Sequence, residues 1–393
     1  MWVPVLLMLS AVHGCRPAAP IPPASALAPA AAPDMTDPGN PRTLVQALDR
    51  SIRYLSHRDP DRRLFLSGET VTVGRQIATL KDFRSQVNRF GLGPALFRHL
   101  ENRYVFYGPR TNRVLVTGYF ETEIQGSLTP GPEYRHPVYR TPQDLHRVDT
   151  SGLPLLSAVP FLPPRLVVRL DPQGRMLPYP TRADIDGARP LAGRGLELFW
   201  ARDPIALFFL HVQGSGRVRL QNGTTRRLGF AGHNGHPYYP IGRELIRRGL
   251  IDPDAVSMQA IREVLRSHPG QAREIMNTNP RYIFFDWTRR GPFGAGGVIL
   301  TPYRSIAADP SQYPPGSLCF LSIPLPFTED GERPAAASAD GRFSGFVLTQ
   351  DTGSAISGPA RLDLFTGSGT ESEWVAGHMR QEGTVTLILK KPG

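Results

Sequence analysis

Two aspartates near the C-terminal end carry the most suggestive chemistry in the sequence. Asp351 and Asp363 stand twelve residues apart, in Gln350-Asp351-Thr352-Gly353 and Arg361-Leu362-Asp363-Leu364-Phe365-Thr366-Gly367. Each is beside an apolar, strand-like run and next to glycine-rich turn sequence. A rigid scaffold can expose a carboxyl there while apolar neighbours disfavour its charged form, and a carboxyl kept protonated near neutral pH can serve as a general acid. The same residues also read as turn caps, because Asp-Thr-Gly is favourable turn chemistry.

Other motifs carry less. Gln213-Gly214-Ser215-Gly216 lacks the G-x-S-x-G spacing of a nucleophile elbow, which removes the support for a serine triad. The run from Gly291 to Gly297 has neither the Lys-Ser/Thr of a phosphate loop nor a G-x-G-x-x-G opening a helix. His233 and His236 lie in a loop sequence without a third ligand nearby, and no HExxH occurs, so no metal site is expected. Two cysteines, Cys15 and Cys319, are too few for a disulfide framework. No cofactor is implied.

The elements that must position these residues are mainly strands, with some helices. Leu44, Leu48, Ile52 and Leu55 repeat at three to four residues, which predicts an amphipathic helix over Arg42–Ser56, and further helices are expected over Thr79–Val87 and Gly93–Asn102. Val114–Phe120 and Arg165–Leu170 read as strands. Helices are expected at Asp203–Phe209, Ile241–Arg248 and Ser257–Ser267, the last closed by Pro269-Gly270. Beyond Asn279-Pro280, short strands recur at Tyr282–Phe285, Val298–Leu300, Leu318–Ile323, Phe346–Leu348 and Thr384–Leu389. That spacing signals a closed barrel or a sandwich, not alternating βαβ units.

At 393 residues the chain exceeds the roughly 250–300 at which a single core stops growing, so two folded domains are expected. A net charge of +11 favours anionic partners, but the basic residues are scattered arginines without a nucleic-acid-binding pattern. No nucleic-acid partner is expected. Residues 1–14 are apolar from Trp2 to Val12 and end at Cys15, which resembles a bacterial lipoprotein signal with Cys15 as the lipidated residue. Pro and Ala dominate residues 15–41, read as an extended, mobile tether.

A resemblance adds to this reading. Asp309 in Ser305-Ile306-Ala307-Ala308-Asp309-Pro310, together with Asp351 and Asp363, looks like the three aspartates of a 3D domain. Upstream, Thr117-Gly118-Tyr119-Phe120-Glu121, Pro137-Val138-Tyr139-Arg140 and Phe208 to Gly216 resemble the rest of the membrane-bound lytic murein transglycosylase A family. Ala231 to Tyr238 and Asn279 to Phe285 do so too. The likeness runs in order from about residue 100 to the C-terminus, with His233 where a lysine is common and Pro240 in place of a serine.

The resemblance implies a double-psi β-barrel formed by residues 42–124 and 289–393, with the 3D domain at about 290–391. A smaller β-rich domain at 125–288 would be inserted between the segments, leaving a groove at the junction. It further implies cleavage of the β-1,4 bond between N-acetylmuramic acid and N-acetylglucosamine to give 1,6-anhydro ends, with Asp363 as acid and then base. Asp351 and Asp309 would support it, Asp309 more as a structural group. Thr117, Tyr119, Gln213, Ser215, Asn234 and Tyr238 would contact sugar or, equally, pack turns and core. The partners implied are peptidoglycan strands and, through the lipid anchor, a membrane, placing a monomer on the periplasmic face of the outer membrane, or in the periplasm if unlipidated. Other cell-wall enzymes are candidate partners. A hydrolytic glycosidase using both aspartates and a non-catalytic glycan-binding protein are the alternatives.

Overall fold

Period-two alternation of apolar side chains dominates the chain, which this computed structural model describes over residues 27–66, 69–150, 165–353 and 355–392. The fold is mainly β, as expected. The first segment supplies β1 (Leu27–Ala30), α1 (Pro41–Ser56), the antiparallel pair β2 (Arg63–Leu66) and β3 (Glu69–Thr72), α2 (Val73–Phe90), α3 (Pro94–Arg103), β4 (Tyr104–Pro109) and β5 (Val114–Ser127). An inserted segment follows with β6 (His136–Tyr139), β7 (His146–Asp149), β8 (Arg165–Leu170), β9 (Met176–Pro178), α4 (Arg182–Gly187), β10 (Glu197–Ala201) and α5 (Pro204–Gln213). It continues through β11 (Gly216–Leu220), β12 (Thr225–His233), α6 (Ile241–Arg247), α7 (Met258–Ser267), α8 (Pro269–Asn277) and β13 (Ile283–Thr288). The chain then returns with β14 (Ser305–Ala307), β15 (Leu318–Pro324), β16 (Arg342–Asp351), β17 (Arg361–Ser368), α9 (Thr370–His378) and β18 (Arg380–Lys390).

Six strands close into a barrel, because β5 pairs with β18, β18 with β15, β15 with β16, β16 with β14, β14 with β17, and β17 with β5. The inward side chains, among them Val116, Ile306, Leu321, Val347, Leu362 and Leu387, form one core. A second lies under α1, α2 and α3, where Leu48, Phe83 and Leu100 meet Phe320, Phe346 and Ile388. β5 leaves the barrel at its midpoint: its first half pairs with β17, and Thr122 to Gly126 pair in parallel with β11 in the insert. One continuous strand therefore belongs to both bodies.

Several expectations need correction. Residues 27–40 are not a free tether. β1 pairs with β4, Leu27 is fully buried, and Asp37 forms a buried ion pair with Arg304 at 2.5 Å. Asp37 also accepts from the Phe346 and Gly39 amides, so this Pro/Ala-rich run is latched to the barrel. Pro269 starts α8 instead of ending α7, because a proline at the first helical position gives up only an amide that has no partner there. Val298–Leu300 forms an isolated bridge, Phe293 with Ile299, and not a strand. Cys15 and the expected signal lie outside the described residues.

Candidate active site

The parallel register of β17 on β5 puts Asp363 beside Thr117, and Leu362 and Leu364, fully buried, point the opposite way into the core. Strand alternation thus turns Asp363 outward, half-buried. Its Oδ1 accepts from the Thr117 hydroxyl at 2.9 Å. Arg361, two residues earlier, donates to the same Thr117 oxygen at 2.8 Å and to the Leu362 carbonyl at 2.9 Å. Gly118 sits between Thr117 and Tyr119 where a Cβ would meet the Ala376 backbone at 2.7 Å, so α9 packs directly on this part of β5.

Asp351 ends β16. Its Oδ1 accepts from the backbone amides of Ala295 and Thr352, both at 2.8 Å, and its Oδ2 from the Tyr119 hydroxyl at 3.0 Å. Its neighbour Gln350 is buried and donates to the Ala47 carbonyl and the Ser51 hydroxyl of α1, fixing this end of β16. The loop that supplies the Ala295 amide is pinned from α1 by Arg50, which donates to the Thr301 hydroxyl and the carbonyls of Ile299 and Leu300. Gly294 passes against the Gln350 carbonyl with no room for a Cβ.

Burial pushes the Asp363 carboxyl up to about 6, assisted by the Asp351 charge and opposed by Thr117 and Arg361. Burial likewise lifts Asp351 to about 6, against the pull of its three donors. Burial and then the Asp351 and Asp363 charges hold the Tyr119 phenol well above its usual value, so it remains a donor. Asp309 differs. Burial alone would raise it, but the Gly358 amide and the amide and hydroxyl of Ser311 outweigh that and hold it below the usual carboxylate range. Its oxygens thus tie Ser311 and Gly358 together.

A cleft of about 910 Å³ runs between barrel and insert. Tyr119 and Asp351 line it from the barrel; Gln213, Ser215 and Tyr238 line it from the insert. Gln213 ends α5, where its Oε1 accepts from the Phe120 amide at 3.4 Å, and Gly214 turns the chain in the left-handed region at φ 77°. Burial, then the Asp363 charge, raises the Tyr238 phenol. Asn234 is not part of the cleft wall. It is 1% exposed, donates to the carbonyls of Pro180 and Pro280 and accepts from the Tyr282 amide, so it clamps backbone inside the insert.

The structure adds residues that the sequence reading passed over: the Ala295 amide, Arg361, His211, Arg281 and Phe230. Phe230 is 52% exposed, beside His233, on the cleft wall. Burial, then Arg182, holds the His211 imidazole well below its usual value, and its Nδ1 accepts from the Ile283 amide at 3.1 Å. Strand periodicity could have flagged Arg361, which shares a face with Asp363. No such signal exists for a backbone amide in a distant loop. Among the described residues, no group of three His, Cys, Asp or Glu side chains could hold a metal ion. A separate concavity of about 480 Å³, lined by Ile205, Phe208, Leu265, Arg182 and Arg273, lies among the insert helices.

The barrel thus carries two carboxyls raised by burial: Asp351 in the cleft wall itself, and Asp363 bonded to Thr117, two residues before Tyr119 of that wall. Comparison with known proteins gives the family. The model for the MltA specific insert domain matches residues 115–286, and that for the 3D domain matches residues 304–389. Membrane-bound lytic murein transglycosylase A of Vibrio cholerae is 32% identical over 287 residues, 71% of this chain and 66% of that protein. The Escherichia coli K12 protein of the same name is 30% identical over 288 residues, 71% of this chain and 67% of that one. The chain thus aligns with about two thirds of the length of these relatives. The crystal structure of a membrane-bound lytic murein transglycosylase from Agrobacterium tumefaciens superposes with a TM-score of 0.76 at 32% identity, covering 93% of this chain and 97% of that one. The chain belongs to the membrane-bound lytic murein transglycosylase A family.

Proposed function

We propose that this chain is a peptidoglycan lytic transglycosylase in which Asp363 acts alone, first as acid and then as base. The observation that carries this is the contrast between the two carboxyls. Asp351 has both oxygens engaged by three donors, whereas Asp363 has Oδ1 on Thr117 and no partner at Oδ2 among the described residues. A hydrolase needs a second carboxylate to activate water or form a glycosyl intermediate, and Asp351 is held as a bonded support instead. Protonated Asp363 gives its proton to the glycosidic oxygen between N-acetylmuramic acid and N-acetylglucosamine. The resulting carboxylate takes the proton of the muramic C6 hydroxyl as that oxygen closes on C1. The products are a free C4 hydroxyl and a 1,6-anhydro ring, with no water consumed.

In this reading the barrel, residues 42–124 and 289–393, holds the acid, and the insert, residues 125–288, grips the glycan through Gln213, Ser215 and Tyr238. Cys15 lipidation anchors the chain at the periplasmic face of the outer membrane, where its substrate lies. Relatives are named membrane-bound, and no described helix is long and apolar enough to cross a membrane, which fits a lipid anchor.

Mass spectrometry of muropeptides released from purified peptidoglycan tests the reaction. Products one water lighter than hydrolytic ones, absent with Asp363→Asn, are expected. Products of hydrolytic mass would make the chain a hydrolase, and binding without cleavage would make it a glycan-gripping module.

A further inference from the structure

We infer that Arg361 is a positioning residue which, through the Thr117 hydroxyl, dictates which oxygen of Asp363 carries the transferable proton. This rests on the assignment of Asp363 as the acid. Thr117 Oγ1 has one hydrogen and two lone pairs, and a guanidinium can donate but never accept. Arg361 donates to Thr117 Oγ1 at 2.8 Å, so one lone pair is taken and the Thr117 hydrogen cannot point back at the guanidinium. The other neighbour of that oxygen is Asp363 Oδ1 at 2.9 Å, and the hydroxyl hydrogen goes there.

Oδ1 is then fixed as an acceptor. In a neutral carboxyl the acceptor is the carbonyl oxygen, and the hydrogen resides on the other. The acidic proton is therefore carried on Oδ2, which has no partner among the described residues and is the oxygen left for substrate. Without Arg361, the hydroxyl is free to turn and accept a hydrogen from Oδ1, which would hold the proton against β5 and away from the glycosidic oxygen. Arg361 is itself held in register by the carbonyls of Leu362 at 2.9 Å and Leu115 at 3.4 Å, so its donor is aimed by strand geometry.

The groups that set the Asp363 charge state come from every side: Arg361 on its own strand, Thr117 on β5, Asp351 at the end of β16, and Tyr119 and Tyr238, whose phenols feel its charge. Arg380, paired with Thr117 on β18, acts on Arg361. Arg361 pulls the Asp363 carboxyl down, so its loss raises the pH at which the acid ionises.

The test compares Arg361→Met, Thr117→Val and the double variant for cleavage of purified peptidoglycan across pH 4–9, with Asp363→Asn as reference and thermal melting to confirm folding. The expected result for Arg361→Met is a kcat lower by about 10-fold or more, KM within about two-fold of the unaltered protein, and a basic limb moved up by about one pH unit. Thr117→Val should lose kcat comparably, and the double variant should be no worse than either single one, because both cut the same relay. Unchanged kcat and pH profile in a folded Arg361→Met protein would overturn the inference, as would independent, multiplicative losses in the double variant. An active Asp363→Asn protein would instead remove the catalytic assignment beneath it, so the two failures are distinguishable.

Discussion

On the barrel side, Thr117 is bonded to Asp363 and Tyr119 to Asp351, two pairs fixed by strand register and by backbone amides. On the insert side, Phe230 stands half exposed, Ser215 and Tyr238 line an open wall, and the Arg281 guanidinium donates to the His236 carbonyl. The first arrangement suits proton transfer, where small misplacements are expensive in rate. The second suits gripping a sugar chain, where a broad surface of rings and amides shares the load. On the function proposed above, chemistry and recognition are divided between two bodies that share β5.

The largest expected effect tests the barrel wall directly. Asp363→Asn should lower cleavage about 10²–10⁴-fold with glycan binding retained, measured as anhydro-product release beside pull-down on insoluble peptidoglycan. Next, Asp37→Ala should destabilise the barrel by about 3–5 kcal/mol, because it strands the buried Arg304 guanidinium. Denaturant unfolding at neutral pH would check it, and a change below about 1 kcal/mol would show that the latch does not hold the wall.

A third prediction separates function from stability at the same residue. Asp363 is lifted to about 6 in the fold from an ordinary 3.8, so its contribution is intact below pH 4 and is lost as pH rises through 6. Asp363→Asn should therefore match the unaltered protein in stability near pH 4 and exceed it at pH 8, by up to about 3 kcal/mol. Melting curves at the two pH values decide this. Asp351→Asn removes the charge that helps raise Asp363, so the basic limb of its activity profile should move to lower pH, opposite to the shift for Arg361→Met. The smallest effect belongs to the insert wall: Phe230→Ala should raise KM by several fold, an aromatic contact being worth about 0.5–1.5 kcal/mol, with kcat unchanged. A kcat loss there would break the division between the walls.

Parts of this arrangement were readable in the sequence for physical reasons, and others were hidden for reasons equally physical. The alternation Leu362-Asp363-Leu364 sets two side chains in the core and the carboxyl outside, and α1 announced itself by its apolar spacing. β1 was missed because Leu-Ala-Pro-Ala has linker composition. It lies at the sheet edge, where proline is tolerated. Asn234 read equally as a sugar contact or a packing residue, and only long-range backbone contacts, which bury it, separate the two. The Ala295 amide that holds Asp351 carries no side-chain signature at all, since it is brought there by α1 and Arg50.

The place of β18 in the barrel has a consequence for how the molecule comes into being. β18 bonds to β4, β5 and β15, so Phe106 waits for Ile388 and Thr117 for Arg380 across more than 260 residues of sequence before these pairings form. A chain emerging N-terminus first therefore cannot seal its barrel until β18 has been made. Such late, distant pairing makes for slow folding and keeps the unsealed polypeptide pliable for longer.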